Sequence, residues 1–159
     1  IQGPCYLRFA REATPVFTKE EDFFQVGKAN ILEEGSDLSI IACGPIVYES
    51  LLAAEKLKQE GISVRVINMH TIKPLDEEAI LKAASETGAI VTAEEHQIYG
   101  GLGGAVAEFL AKNNPTPIEM IGVKDSFGES GTPEELAVKY ELTAKDIGAA
   151  AKKVLSRKK

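Results

Sequence analysis

The run at residues 90–106 limits the possible folds of this chain more than any other stretch. A mostly apolar tetrad at residues 90–93 leads into Glu94, Glu95 and His96, and four glycines then fall within residues 100–104. Because glycine allows positive φ and close backbone approach, this order predicts a buried strand, a tight turn and a helix packed closely on its sheet. The same turn geometry would suit a phosphate at the helix N-terminus.

Two interpretations of the glycine turn follow, a ligand cradle and a packing device. A dinucleotide-binding fingerprint belongs in the first strand–helix turn of its unit, with an acidic residue ending the next strand. Here the next strand-like run, residues 118–123, continues into Lys124, and Asp125 comes one position later. We therefore favour the packing device, with no cofactor-binding residue in the turn.

Apolar runs of strand length alternate with runs of helical spacing from residue 29 onward. This alternation predicts a three-layer α/β/α sandwich around a mostly parallel five-stranded sheet. Residues 35–37 are Gly-Ser-Asp, which favours a turn, so we expect a hairpin between the first two strands, with the first strand antiparallel. The predicted strands are residues 29–33, 38–43, 62–68, 89–93 and 118–123.

Capping residues mark several helix ends. Asp76 and Gly88 are expected to begin and end the helix between them. Residues 132–135 and 143–146 each have the three-residue spacing of a capping box, so two more helices are expected near the C-terminal end. Helical spacing also predicts helices at residues 45–60 and 103–112.

Composition argues against several classes of function. With 159 residues, 44% of them hydrophobic, the chain can bury one sizeable core. A formal net charge of −6 argues against a nucleic-acid surface, since phosphate binding needs a concentrated positive field. No apolar run approaches the ~20 residues of a membrane helix. Cys5 and Cys43 lie far apart in apolar runs and are interpreted as reduced core thiols of a cytoplasmic protein.

His70 and His96 are the two histidines of the chain, and neither has a cysteine or a second histidine at ligand spacing. We expect no metal site and no catalytic residue in this chain. The Glu-Glu-His sequence at residues 94–96 could serve acid–base chemistry, because histidine titrates near neutral pH. We favour contact between this acidic strand end and a neighbouring subunit, and the roles of the two histidines stay open.

The first residues differ in character from the rest. The chain opens at Ile1 without Met, which fits a fragment or a processed or trimmed chain. Residues 5–11 alternate like a strand, and residues 13–21 hold a proline and a polar run typical of a connector. We place a domain boundary there, so that residues 1–22 precede a main domain at residues 23–159.

Five short motifs become informative when they are taken in order. They are FFQVGKA at residues 23–29, HTIKPLD at 70–76, TAEEH at 92–96, YGGLG at 99–103 and SGTPEEL at 130–136. In this order and spacing they resemble the C-terminal domain of transketolases, and the resemblance covers essentially the whole chain. Each motif alone is weak, but the series of five is specific.

The resemblance implies that this chain is one part of a larger enzyme and that other parts hold the cofactor. Residues 1–22 would be the end of the preceding pyrimidine-binding domain and a linker, and residues 23–159 the C-terminal domain. The parent reaction is two-carbon ketol transfer between sugar phosphates in the pentose phosphate pathway, with thiamine diphosphate and Mg²⁺ held outside this chain. The expected partners are a second copy in a homodimer and the remainder of the transketolase, as an N-terminal section or subunit. The isolated chain is expected to be inactive.

The resemblance also implies one substrate-binding residue. Arg11 aligns with the arginine that grips the phosphate of the sugar substrate in transketolases, and a guanidinium can pair bidentately with phosphate oxygens. In that family proline or glutamine often follows the arginine, where this chain has Glu12. Arg8 is the alternative, and we favour Arg11, with Arg8 as a salt-bridging strand residue.

Other functions stay open at this point. Deoxyxylulose phosphate synthase and the beta subunit of 2-oxoacid dehydrogenases carry a similar domain with a Gly-Gly-x-Gly turn. A stand-alone nucleotide-binding or regulatory module is an alternative from another class. It predicts a nucleotide pocket at residues 100–104.

Overall fold

The computed structural model describes residues 2–158, which form five strands and five helices. Ile1 and Lys159, the outer ends of the two predicted domains, lie outside the described residues. In chain order the elements are β1 Asn30–Glu33, β2 Leu38–Cys43, α1 Ile46–Gln59, β3 Val64–Asn68, α2 Glu77–Thr87, β4 Ile90–Gln97, α3 Leu102–Asn113, β5 Ile118–Val123, α4 Pro133–Lys139 and α5 Ala144–Leu155.

The sheet separates two hydrophobic cores, so the predicted three-layer α/β/α sandwich is confirmed. Its strand order is β1-β3-β2-β4-β5, with every neighbouring pair parallel except β1 and β3. One core holds Val47 and Leu57 of α1 and Ile147 of α5, and the other holds Ile80 of α2 and Val106 of α3. The central strands β2 and β3 are almost wholly buried because both faces are covered by helices.

The predicted hairpin between the first two strands is wrong. β1 is antiparallel, as expected, but it pairs with β3 rather than with β2. The turn at residues 35–37 instead crosses the end of β3: Asp37 and Ser63 exchange hydrogen bonds of 2.8 and 2.7 Å. Gly35 allows this crossing, because a Cβ atom there would lie 2.2 Å from the carbonyl carbon of Val64. The prediction failed because Gly-Ser-Asp at residues 35–37 suits a turn of either kind, one that joins two paired strands or one that crosses a third strand.

The predicted helix caps are confirmed. The carboxylate of Asp76 accepts a hydrogen bond from the N–H of Ala79, and Gly88 ends α2 with φ of 65°. Residues 132–135 and 143–146 both form capping boxes. The second box is reinforced from outside its own helix, since a carboxylate oxygen of Glu49 in α1 lies 2.7 Å from the N–H of Ala144. This contact fixes the start of α5 against α1.

The residues before β1 contain neither helix nor strand from residue 2 to residue 29. Large apolar side chains in this segment are exposed, among them Tyr6, Phe9 and Phe23. Cys5 is exposed as well, so its prediction as a core thiol is wrong, whereas Cys43 is half-buried at the end of β2. Among the described residues, no helix has both the length and the apolar composition needed to cross a membrane.

Candidate functional site

The carboxyl edge of the sheet, where β2 and β4 lie side by side, is the place where a site is expected. From β2 the chain passes through α1 to β3 on one side, and from β4 it passes through α3 to β5 on the other. In open α/β sheets, ligands bind in the crevice formed where connections diverge in this way. Cys43 and Glu94 are register partners at this edge. We call this place the switch-point crevice.

The side chain of Glu94 caps the N-terminus of α3. Its two carboxylate oxygens accept hydrogen bonds of 2.8 Å from the N–H groups of Leu102 and Gly103. The side chain is 2% exposed. These N–H groups lack partners within their helix and carry the positive end of its dipole, so they attract an anion. The protein's own carboxylate therefore occupies the place where a phosphate would bind, which supports the packing interpretation of the glycine turn.

The glycines of the turn serve two separate needs. Gly100 has φ of 76°, which favours glycine, whereas Gly101 has φ of −98° and ψ of −152°. What Gly101 provides is space, because a Cβ atom there would lie 2.0 Å from Oε2 of Glu94. Gly103 allows α3 to lie close to the sheet, since its Cβ would be 2.9 Å from Oγ1 of Thr92.

Arg8 reaches the switch-point crevice from the segment that precedes β1. Its Nη2 donates a hydrogen bond of 3.1 Å to the carbonyl oxygen of Glu95. Burial raises the pKa of the Glu95 carboxyl, and the Arg8 guanidinium partly opposes that rise. Burial also raises the pKa of the Cys43 thiol to about 12, which keeps it protonated and unreactive as a nucleophile at neutral pH. A cationic side chain of this same chain thus contacts the strand end beside the crevice.

Arg11 is not brought to the crevice. Its side chain is 93% exposed, and its Nε lies 3.1 Å from a carboxylate oxygen of the neighbouring Glu12. No other residue of the described chain forms an ion pair with it. The predicted role of Arg11 in binding a substrate phosphate stays a prediction.

The two histidines lie in different surroundings. The His70 ring stacks on Phe24 with centroids 4.4 Å apart, and its Nδ1 lies 3.0 Å from Oγ1 of Thr71. Burial lowers the pKa of His70. His96 is half-exposed, and its Nδ1 lies 2.8 Å from the carbonyl oxygen of Gln97 and 3.8 Å from Oε2 of Glu94. Within residues 2–158, no group of three or more His, Cys, Asp or Glu side chains is placed to hold a metal ion.

Two contacts at this edge were not predicted. Nothing in the local sequence indicated that Arg8 would contact Glu95, because 87 positions separate them. The role of Glu94 had a usable signal, an acidic residue ending a buried strand eight positions before the start of a glycine-rich helix. A carboxylate in that position can cap the helix from the neighbouring strand.

The fold and this edge define a class of protein, an α/β domain with a five-stranded mixed sheet. In this domain the N-terminus of α3, at the switch point, is capped by the carboxylate of Glu94 from the neighbouring strand. The model of the family described as "Transketolase, C-terminal domain" matches residues 27–147. The chain belongs to the transketolase C-terminal domain family.

Relatives agree with this assignment. A 6-deoxy-6-sulfo-D-fructose transketolase subunit from Clostridium sp. (strain MSTE9) is 49% identical over 98% of this chain and 48% of its own length. An apulose-4-phosphate transketolase subunit from Phocaeicola vulgatus is 46% identical over 91% of this chain and 46% of its own length. The chain therefore spans about half the length of these curated relatives. 1-Deoxy-D-xylulose-5-phosphate synthases also match, at lower identity.

A solved structure shares the fold across nearly the whole chain. It is described as a split gene transketolase, inactive beta4 tetramer, and it superposes with a TM-score of 0.91 at 45% sequence identity. The match covers 94% of this chain and 49% of that one. The predicted fold class and the predicted resemblance to transketolases are both confirmed.

Proposed function

We propose that this chain is the C-terminal portion of a transketolase that transfers two-carbon ketol units between sugar phosphates in the cytoplasm. In this proposal the chain acts as a scaffold for a homodimer and for the remainder of the enzyme. Thiamine diphosphate and Mg²⁺, the cofactors that the family implies, would be held by the remainder. Split transketolase subunits among the relatives support such a partnership.

The observation that carries the proposal is the contact between Glu94 and the start of α3. A diphosphate would be expected at the exposed N–H groups of a helix N-terminus, and α3 starts at the crevice where ligands are expected. Two N–H groups of its first turn, those of Leu102 and Gly103, are bound by Glu94. The residues at this turn do not fit a diphosphate, because a second anion there would be repelled by a buried carboxylate. The turn is therefore not assigned to the diphosphate of the cofactor.

Exposed apolar side chains support the docking role. Tyr6, Leu7 and Phe9 are exposed by 88, 73 and 81%. Side chains of this size grouped in one extended segment mark an interaction surface. Arg8, which belongs to the same segment, is hydrogen-bonded to the end of β4 at the carboxyl edge of the sheet. The segment would complete the sheet of the preceding domain, as the family resemblance implies.

Arg11 would bind the phosphate of the sugar substrate in the assembled site. Its guanidinium is exposed, and its ion pair with Glu12 joins adjacent residues on the surface. Such pairs contribute little to stability, so a phosphate can displace Glu12 at small cost. A phosphate bound bidentately by arginine is held more strongly than by a neutral donor.

The test is a ketol-transfer assay with the assembled enzyme that contains this chain. Turnover of xylulose 5-phosphate with ribose 5-phosphate is expected. Turnover of pyruvate without transfer between these sugar phosphates would contradict the proposal and favour a deoxyxylulose phosphate synthase or a 2-oxoacid dehydrogenase. A saturable thermal shift of this chain with ATP or NAD would favour the nucleotide-binding alternative, and we expect none.

A further inference from the structure

Arg8 makes the hydrogen bond by which the first residues of the described chain reach the folded domain. Among residues 2–16, the other side-chain hydrogen bonds join near neighbours, such as Arg11 with Glu12. Arg8 alone of these bonds across a large separation in sequence, to the carbonyl oxygen of Glu95 at the end of β4. Farther along the chain, Phe17 packs against the core that α1 and α5 share. The residues between Arg8 and Phe17 are exposed.

The place that Arg8 occupies is built to attract a cation. Glu95 follows Glu94 beside the crevice and supplies one carboxylate. Glu49 in the first turn of α1 supplies a second carboxylate close enough to act on Glu95. The C=O group that accepts the Arg8 hydrogen bond also lies at the carboxyl end of a parallel strand. An arginine of the preceding segment is thus hydrogen-bonded beside the crevice in which open α/β sheets usually bind a ligand.

Arg11 lies three residues beyond this anchor. In extended chain three residues span about 10 Å, so a fixed Arg8 limits where the guanidinium of Arg11 can go. The two arginines also differ in surroundings: Arg8 is hydrogen-bonded to the domain, whereas Arg11 is almost fully exposed and pairs with the adjacent Glu12. An anchored arginine near an exposed one, whose surface ion pair with Glu12 is weak, is an arrangement that can hold the exposed side chain in place for a ligand outside the domain.

We infer that Arg8 is a positioning residue, which fastens the segment at residues 2–16 to the switch-point crevice and so places Arg11 toward the phosphate of the sugar substrate. The inference rests on the proposed function, because it assumes that Arg11 binds this phosphate. It gives the C-terminal domain a defined part in substrate recognition without any contact between its sheet and the substrate. Pre-organised side chains bind more tightly because less freedom is lost on binding.

The experiment compares Arg8→Ala, Arg8→Lys and Arg11→Ala in the assembled enzyme. KM and kcat are measured with xylulose 5-phosphate and with xylulose, which lacks the phosphate. Lys19→Ala is the matched control, because Lys19 is an exposed cation that also precedes β1 and whose hydrogen bond to Asp22 uses the backbone N–H. A purely structural role for Arg8 would change the kinetics with both sugars alike.

Arg11→Ala is expected to raise KM for the phosphorylated sugar about tenfold or more, since it removes a charged hydrogen bond. Arg8→Ala is expected to raise the same KM about three- to tenfold, with the KM for xylulose and both kcat values changed less than twofold. Arg8→Lys, which can still donate to Glu95, should recover part of the loss, and Lys19→Ala should have no effect.

The outcomes separate the two claims. If Arg11→Ala does not change discrimination between the two sugars, the proposed role of Arg11 fails and the inference fails with it. If Arg11→Ala removes discrimination while Arg8→Ala leaves it intact, or impairs both sugars equally, the inference about Arg8 is overturned and the proposed function stands.

Discussion

Gly101 and Glu94 are in such close contact that a Cβ atom on Gly101 would lie 2.0 Å from Oε2 of Glu94. This distance explains the glycine better than backbone conformation does, because φ of Gly101 is −98° and open to other residues. The carboxylate needs the space in order to reach the N–H groups of Leu102 and Gly103. The turn is therefore organised around a buried anion supplied by the protein.

Gly101→Ala is expected to destabilise the protein by about 2–4 kcal/mol, because the methyl group displaces the carboxylate and leaves buried N–H groups unpaired. Chemical denaturation gives the free energy of unfolding. The matched control is Gly104→Ala in the same helix, where the nearest atom to an added Cβ is 4.0 Å away. That variant should be as stable as the parent or more stable, since alanine favours helix over glycine by about 1 kcal/mol. Equal stability of the two variants would contradict the contact with Glu94.

Glu94→Gln is expected to cost about 1–3 kcal/mol, because an amide offers one acceptor oxygen in place of two and lacks the charge that suits a helix N-terminus. Glu95→Gln is the control at the next position. Partial burial raises the pKa of the Glu95 carboxyl while the residue as a whole is exposed, so a neutral side chain there should be tolerated within about 0.5 kcal/mol. Equilibrium unfolding in urea measures both. A larger loss for Glu95→Gln than for Glu94→Gln would show that the wrong carboxylate has been assigned.

Asp76 joins the start of α2 to the segment before β1. One carboxylate oxygen accepts from the N–H of Ala79 and the other from the N–H of Ala29, at 3.2 and 2.8 Å. Asp76→Ala is expected to destabilise by about 2–3 kcal/mol, through loss of the cap and of a partly buried acceptor. Glu78→Gln, which breaks the exposed ion pair with Lys28, should cost no more than about 0.5 kcal/mol. Thermal unfolding distinguishes the two, and similar losses would contradict the role given to Asp76.

His70 is expected to make stability depend on pH. Burial lowers its pKa below the ordinary value of 6.5, so the unfolded chain binds a proton more readily than the folded one. Stability should therefore fall as pH drops through 6.5 and level off below the folded pKa. Urea unfolding at about pH 7.5 and about pH 5, on either side of the ordinary histidine pKa, measures the loss. His70→Phe keeps an aromatic ring against Phe24 and removes the titration, so it should lose less stability over this interval. An equal loss in both proteins would assign the effect to other groups.

The local sequence was sufficient to predict the ends of an element where those ends depend on residues of that element alone. The bounds of β2 and β5 agree with prediction, and the caps at Asp76, Gly88 and Thr132 are where their chemistry placed them. Helix caps are satisfied by neighbours within four residues, so the information lies in the sequence near by. The five motifs that resemble transketolases were likewise sufficient to name the family, which the comparisons confirm.

Contacts between distant parts of the chain were beyond local reasoning. The pairing of β1 with β3 depends on Gly35 crossing the backbone of Val64, and the sequence around Gly35 is also that of a hairpin turn. β4 extends to Gln97, four residues beyond its predicted end, because Gln97 pairs with Val123 of β5. Arg65 in β3 is buried and paired with Glu34 and Glu86, which lie outside that strand. In each case a partner far along the chain decides the outcome.

The proposed function makes this chain a scaffold in which Glu94 caps the N-terminus of α3, with the thiamine cofactor held elsewhere in the enzyme. Calorimetric titration of this chain with thiamine diphosphate and Mg²⁺, beside the same titration of the assembled enzyme, tests it most directly. We expect saturable, stoichiometric binding by the assembled enzyme and no binding heat for the chain alone. Tight one-to-one binding by the chain alone would contradict the claim.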